Sequence, residues 1–193
     1  MDAPGVAALI AAGGVILTLA ANVILAERAR RHERRAVIAA FRSDVRSIVQ
    51  VLHDMKVPEM FAAIARLNVL PADQPNWSDY APRREDYFQL FNALAAKIGL
   101  APTELARDIV KFYSFLRASR DAAQPFATLT KEDATKGKHV ALALHVLQLL
   151  AHMLHAADQV LDAKFSQSSV SERQDLAKKL RAEIMACLQP PTD

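Results

Sequence analysis

Hydrophobic positions recur at helical spacing along most of this chain. Ile38, Phe41, Val45, Ile48, Leu52 and Met55 alternate steps of three and four, which gathers them on one helix face as an a/d seam. Val37, Val49 and Val51 widen that face, and a wide face suits packing within the chain's own domain better than pairing with a copy. Pro58 interrupts the pattern and disfavours helical backbone at Val57. Pro58-Glu59 then opens a short helix carrying Met60, Phe61, Ile64 and Leu67. Val69 to Arg84 reads as irregular, with Pro71, Pro75 and Pro82 in it. Glu85 to Ile98 reads as a helix through Tyr87, Phe88, Phe91 and Leu94, with Gly99 as its C-terminal cap. Pro102-Thr103-Glu104 starts another, bearing Leu105, Ile109, Phe112 and Leu116, flanked by Val110 and Tyr113. So short a link predicts an antiparallel helical hairpin. Thr130 caps a long helix that extends to Phe165, its regular part starting near Lys138 because Gly137 weakens the first turns. A polar turn at Gln167 to Ser171 precedes a last helix with Leu176, Leu180, Ile184 and Leu188, stopped by Pro190-Pro191.

Ahead of these patterns lies a different one. From Ala3 to Ala26 there is no charged side chain, only apolar residues with Pro4, Thr18 and Asn22. At helical rise this run covers about 36 Å, enough to cross a hydrocarbon core of ~30 Å. Arg28, Arg30, Arg31, Arg34 and Arg35 follow at once. A cleaved leader carries its positive charge before the apolar stretch, whereas here the arginines come after it. The expectation is an uncleaved single-pass anchor in the bacterial inner membrane, with the N-terminus outside and the remaining chain in the cytoplasm. On that side the glycosylation pattern Asn76-Trp77-Ser78 is silent.

Charge sharpens the division. The formal net charge is +3; Glu27–Arg35 alone supplies +3, Asp2 removes one, and residues 36–193 carry +1. The basic balance therefore belongs to the segment next to the apolar run, where it suits a lipid bilayer surface. Nucleic-acid binding, which needs a basic face on the domain, is not expected. The single cysteine, Cys187, cannot form an internal disulfide, in keeping with a reducing compartment.

Lys97-Ile98-Gly99-Leu100 followed by Ala106, Ile109, Val110, Phe112 and Tyr113 resembles a pattern in small uncharacterised bacterial membrane-anchored helical proteins. The resemblance covers about a fifth of the chain and implies a single-pass protein; it brings no catalytic residues.

Candidate chemistry concentrates on the long helix. His145, Gln148, His152, His155, Gln159 and Asp162 form one polar stripe on a helix that is otherwise rich in Leu and Val, the pattern of a central helix with one wetted edge. The sharper alternative is a metal or acid–base site built from His145, His152, His155 and Asp158, since adjacent turns bring such ligands together. Against it, the helix has no Glu-x-x-His pair and its histidines are not spaced as His-Glu-x-x-His. His53-Asp54 resembles the pair of metal phosphohydrolases in those two residues alone. Trp77 and Tyr80, in the Pro-rich stretch, are candidates for contact with a partner.

The expected architecture is all-α: a transmembrane anchor (1–26), a basic juxtamembrane segment running into a long amphipathic helix (27–57), a bundle of about five helices (58–189, packed with 36–57) and a tail (190–193). Its long helix, extending on the order of 45 Å beyond the membrane, is expected to set the domain's distance from the bilayer. The functional expectation is a non-enzymatic, membrane-tethered interaction or scaffold module that needs no cofactor and acts through a protein partner or homo-oligomer. A metal- or small-ligand-dependent enzyme using the histidine stripe is the alternative.

Overall fold

The computed structural model describes residues 3–67, 86–128, 137–162, 178–179 and 181–186, and side chains within these from Leu17 onward except at 67, 86–87 and 127–128. They are helical, with no strand among them. Helix α1 (Ala3–Asp54) is one unbroken element of 52 residues, about 78 Å long. It is followed by α2 (Val57–Leu67) and α3 (Asp86–Leu94), a 3-10 helix (Ala95–Leu100), α4 (Thr103–Ala123), a second 3-10 helix (Gln124–Thr128) and α5 (Lys138–Leu161). Residues 178–179 and 181–186 are helical as well.

α5 is the central element. It packs most extensively on α4, then on α2, then on α1. Ala143, Val146, Leu147, Leu150, Met153, Leu154, Ala157, Val160 and Leu161 are buried along it. This is the one helix among the described residues that is long and apolar enough to cross a membrane, and half of its apolar window is covered by the bundle. Its hydrophobicity thus has a use in the core.

The seam of α1 packs inward, as its width predicts. Phe41, Val45, Ile48 and Val49 are buried and Ile38 and Leu52 half-buried, so the chain's own helices fill the a/d series as far as Leu52; Met55, beyond the end of α1, is exposed. Tyr113 on α4 anchors an aromatic cluster against this seam, with ring centroids 6.2 Å from Phe41, 4.5 Å from Phe91 and 5.2 Å from Phe112. Edge-on and tilted rings at such spacings add to what burial alone contributes.

Three local expectations need correction. α1 ends at Asp54 because Lys56 adopts a left-handed backbone, φ 52°. The reversal is complete before Pro58, so Val57 is helical and fully buried after all. Pro58 sits in the first turn of α2, where a missing N–H costs nothing. Gly99 is not a left-handed cap: the helix tightens into 3-10 geometry from Ala95, and the Ala101 N–H donates to the Ile98 carbonyl at 3.0 Å. The long helix starts at Lys138, where Gly137 does take the left-handed conformation at φ 69°, but it ends at Leu161 rather than Phe165. The capping residues expected at Thr130 and Ser169 to Gln174 lie outside the described residues, as does the irregular stretch with Trp77 and Tyr80.

The packing of the seam makes one substitution diagnostic. Ile48→Asp buries a charge with no partner and should unfold the bundle, lowering stability by more than about 3 kcal/mol. The check is thermal and urea denaturation by circular dichroism together with size-exclusion chromatography. A folded variant that merely halves its mass would mean the seam joins two copies.

Candidate functional site

The polar side chains predicted on α5 lie where helical spacing puts them. His145, Gln148, His152, His155 and Gln159 are exposed, whereas Asp158 and Asp162 are half-buried. His152 stacks on Phe115 of α4, ring centroids 5.2 Å apart and planes 21° from parallel, so its imidazole is held flat against the bundle. Asp158 lies toward the last helical stretch, its Oδ1 4.0 Å from Lys178 Nζ. Among the described residues, no group of three or more His, Cys, Asp or Glu side chains is placed to hold a metal ion. The edge is a row of separate polar groups on a rigid support.

His53 and Asp54 form an exposed pair at the end of α1, Nδ1 to Oδ1 3.1 Å, and Gln50 Nε2 donates to the same carboxylate at 2.8 Å. The hydrogen bond from His53, then that from Gln50, holds the Asp54 carboxyl below the usual carboxylate range. One histidine and one aspartate in open solvent account for the motif as local pairing.

Two buried polar contacts escape sequence reasoning. The first is Arg42, whose Nε donates to the Val160 carbonyl at 2.9 Å and whose terminal nitrogen donates to the Asp162 carbonyl at 3.2 Å. These are carbonyls at the C-terminal end of α5, where the helix has no further N–H groups to offer and its dipole is negative. Burial, reinforced by nearby Arg46 and opposed by Asp162, lowers the Arg42 pKa from the usual arginine range. The second is the bond from the Tyr113 hydroxyl to the Asp44 carboxylate. Burial pushes the Asp44 carboxyl up despite that bond. Burial first, then Asp44 itself, pushes the Tyr113 phenol up as well. Arg42 and Asp44 lie between the seam positions of α1, and their partners are distant in sequence. Only the burial of this flank by a second helix, which no local pattern encodes, would have revealed them.

His139, in the first turn of α5, is 1% exposed and neither ring nitrogen has a partner. A buried group of that kind lowers stability, since it gives up water without replacement. A cleft of about 480 Å³ opens between α2 and residues 183–186, lined mainly by apolar groups such as Pro58, Ala62, Ala63 and Ile184.

On α1 ahead of the bundle, Arg28, Arg30, Arg31, Arg34 and Arg35 are all exposed. Arg31 Nε donates to Glu27 at 2.9 Å and Lys97 Nζ donates to Glu33 at 2.7 Å, so both acids of this segment are already paired with bases. Compared with protein-family models, curated proteins and solved structures, the chain matches none. The likeness around Lys97 to Tyr113 therefore stands on those residues alone.

Two outcomes follow from the buried contacts. Arg42→Met should cost about 2 kcal/mol by removing charge-assisted bonds to helix-end carbonyls, and Arg42→Lys should recover less than half of it, since an ammonium cannot reproduce the guanidinium fork. Urea denaturation midpoints measure both. For Asp44, a folded-state pKa above the unfolded one means the folded protein holds the proton longer. Stability from this group is fully present below the ordinary carboxylate range of about pH 4 and declines as pH rises through the raised value. Asp44→Asn should flatten that decline in a pH series of thermal melts.

Proposed function

We propose that this protein is a membrane-tethered, non-enzymatic helical interaction module. The N-terminal section of α1 crosses the bilayer once, and the bundle lies on the cytoplasmic face of a bacterial inner membrane. The observation that carries the reading is the exposure of apolar side chains on one unbroken helix: Leu17, Leu19, Val23, Ile24 and Leu25 stand clear of the protein. Such a cluster continues the uncharged run from Ala3, and water is a poor solvent for it. The arginines that follow favour the cytoplasmic side by the charge bias of short membrane-flanking segments. The exposed edge of α5 supports the interaction role, because polar groups on a core helix, one of them stacked on Phe115, present a surface whose shape is set before any partner arrives. Trp77 and Tyr80 are a second candidate contact.

The test is fractionation of the native protein with a reporter fused after Asp193. The protein should stay in the membrane pellet through an alkaline carbonate wash, and the reporter should be active only if it works in the cytoplasm. Release by carbonate, or a reporter active only on the outer side, ends the anchor reading or its orientation respectively. Native mass spectrometry of the gently extracted full-length chain should show a second polypeptide. A lone chain carrying a metal ion would put the enzyme reading in place of the interaction reading.

A further inference from the structure

The sequence pattern suggests that α1 lifts the domain well away from the bilayer, and the packing argues for the opposite arrangement. Side chains on α1 are exposed from Leu17 through Ala36, and burial starts at Val37. The bundle reaches back further still, because Lys97 in the first 3-10 helix bonds Glu33. Only about 10 Å of helix separates Ala26, the last residue of the uncharged run, from Glu33. That is a little more than the ~5–7 Å that the polar headgroup region occupies on one side of a bilayer, so the residues next to Glu33 lie at the outer edge of the headgroups.

The direction of the bundle sets which part of it lies there. Glu33 pairs with Lys97, and Asp44, further along α1, bonds Tyr113, further along the chain toward α4. α4 therefore runs parallel to α1 and away from the apolar section, and the turn that precedes α4 is the end of the bundle nearest to it. Across that turn the exposed residues are Ala95, Ala96, Lys97, Gly99 and Thr103. They are small or basic, and the exposed acid Glu104 follows in the first turn of α4. Beside them stand the five exposed arginines of α1, whose two acidic neighbours are already engaged by Arg31 and Lys97. The surface formed is small in its side chains and positive in its balance.

We infer that residues 95–103, at the closed end of the α3–α4 hairpin, are seated in the headgroup layer of a bilayer containing anionic phospholipid, so that the bundle stands flush on the membrane instead of being held off it. This rests on the anchor reading. Two features of the protein select a lipid surface as the occupant: the turn follows the apolar section of α1 near headgroup depth, and its charge complements phosphate-bearing headgroups. The arginine collar and Lys97 act together, since the Glu33–Lys97 ion pair sets the turn beside the rod.

The experiment uses the full-length protein with Cys187→Ser, reconstituted into vesicles of phosphatidylcholine alone or mixed with phosphatidylglycerol. A fluorophore is attached at Gly99→Cys, where an added Cβ meets no atom within 4 Å, and in a second variant at the exposed Asp54→Cys, at the far end of α1's bundle section. Ala96→Cys, also exposed, replaces Gly99→Cys if that variant does not fold. Lipids carrying a headgroup quencher should quench the Gly99 site several-fold more than the Asp54 site, and phosphatidylglycerol should widen the difference. Equal quenching at both sites overturns the seating. So does a Gly99 site shielded from both the lipid quencher and a water-soluble one, which would mean that a second copy or another protein covers the turn. A carbonate wash of the same vesicles separates the two claims: retained protein with equal quenching leaves the anchor and removes the seating, and released protein removes the anchor itself.

Discussion

One strip of α1, from Val37 to Val49, is the surface against which the bundle closes. α4 and α5 make the largest helix pair, yet a two-helix pair leaves the outward apolar face of each in water, and such pairs are marginal alone. Phe41, Val45 and Ile48 fill the space beside that pair, each fully buried side chain contributing roughly 1.5–3 kcal/mol against the cost of ordering the chain. α2 then folds back over α5, which the left-handed turn at Lys56 makes possible within two residues of the end of α1. The same helix is exposed from Leu17 through Ala36 and part of the core one residue later.

Polar groups inside the bundle divide into satisfied and unsatisfied ones. Arg42 works because it meets carbonyls that no N–H in α5 can reach. Tyr113 and Asp44 satisfy each other beside the aromatic cluster. By contrast, Arg46 Nε and both nitrogens of His139 are buried without hydrogen-bond partners. The low-dielectric interior makes each satisfied contact stronger and each orphan more expensive.

Periodicity was sufficient for the parts of the fold that depend on one helix at a time. The seam from Ile38 to Leu52, the start of the long helix beside Gly137 and the exposed row from His145 to Gln159 are all legible, because 3.6-residue spacing directly encodes which face meets water. Helix ends are less legible. Gly99 looked like a cap and is not one, since 3-10 tightening and a carbonyl bond from Ala101 close that helix without any left-handed residue. Lys56 carries the positive φ that a glycine would normally supply, so composition gave no warning of it. Contacts such as Arg42 with Val160 were beyond reach, because each depends on the relative placement of helices more than a hundred residues apart in sequence. The same limit applies to the Glu33–Lys97 pair, which joins residues 64 apart in sequence.

Between Val15 and Val57 the chain contains neither glycine nor proline, and α1 runs without interruption until Asp54. A helix bends sharply at such residues or at inserted turns, and this stretch offers none. The exposed section and the bundle are therefore parts of one lever. A tilt of about 10° in the exposed section swings a point ~30 Å further along the axis by about 5 Å. Rotation about the axis is passed on in the same way, turning the row of histidines on α5 to face a new direction. Orientation at one end of this molecule is set by orientation at the other, with no joint between them to absorb the difference.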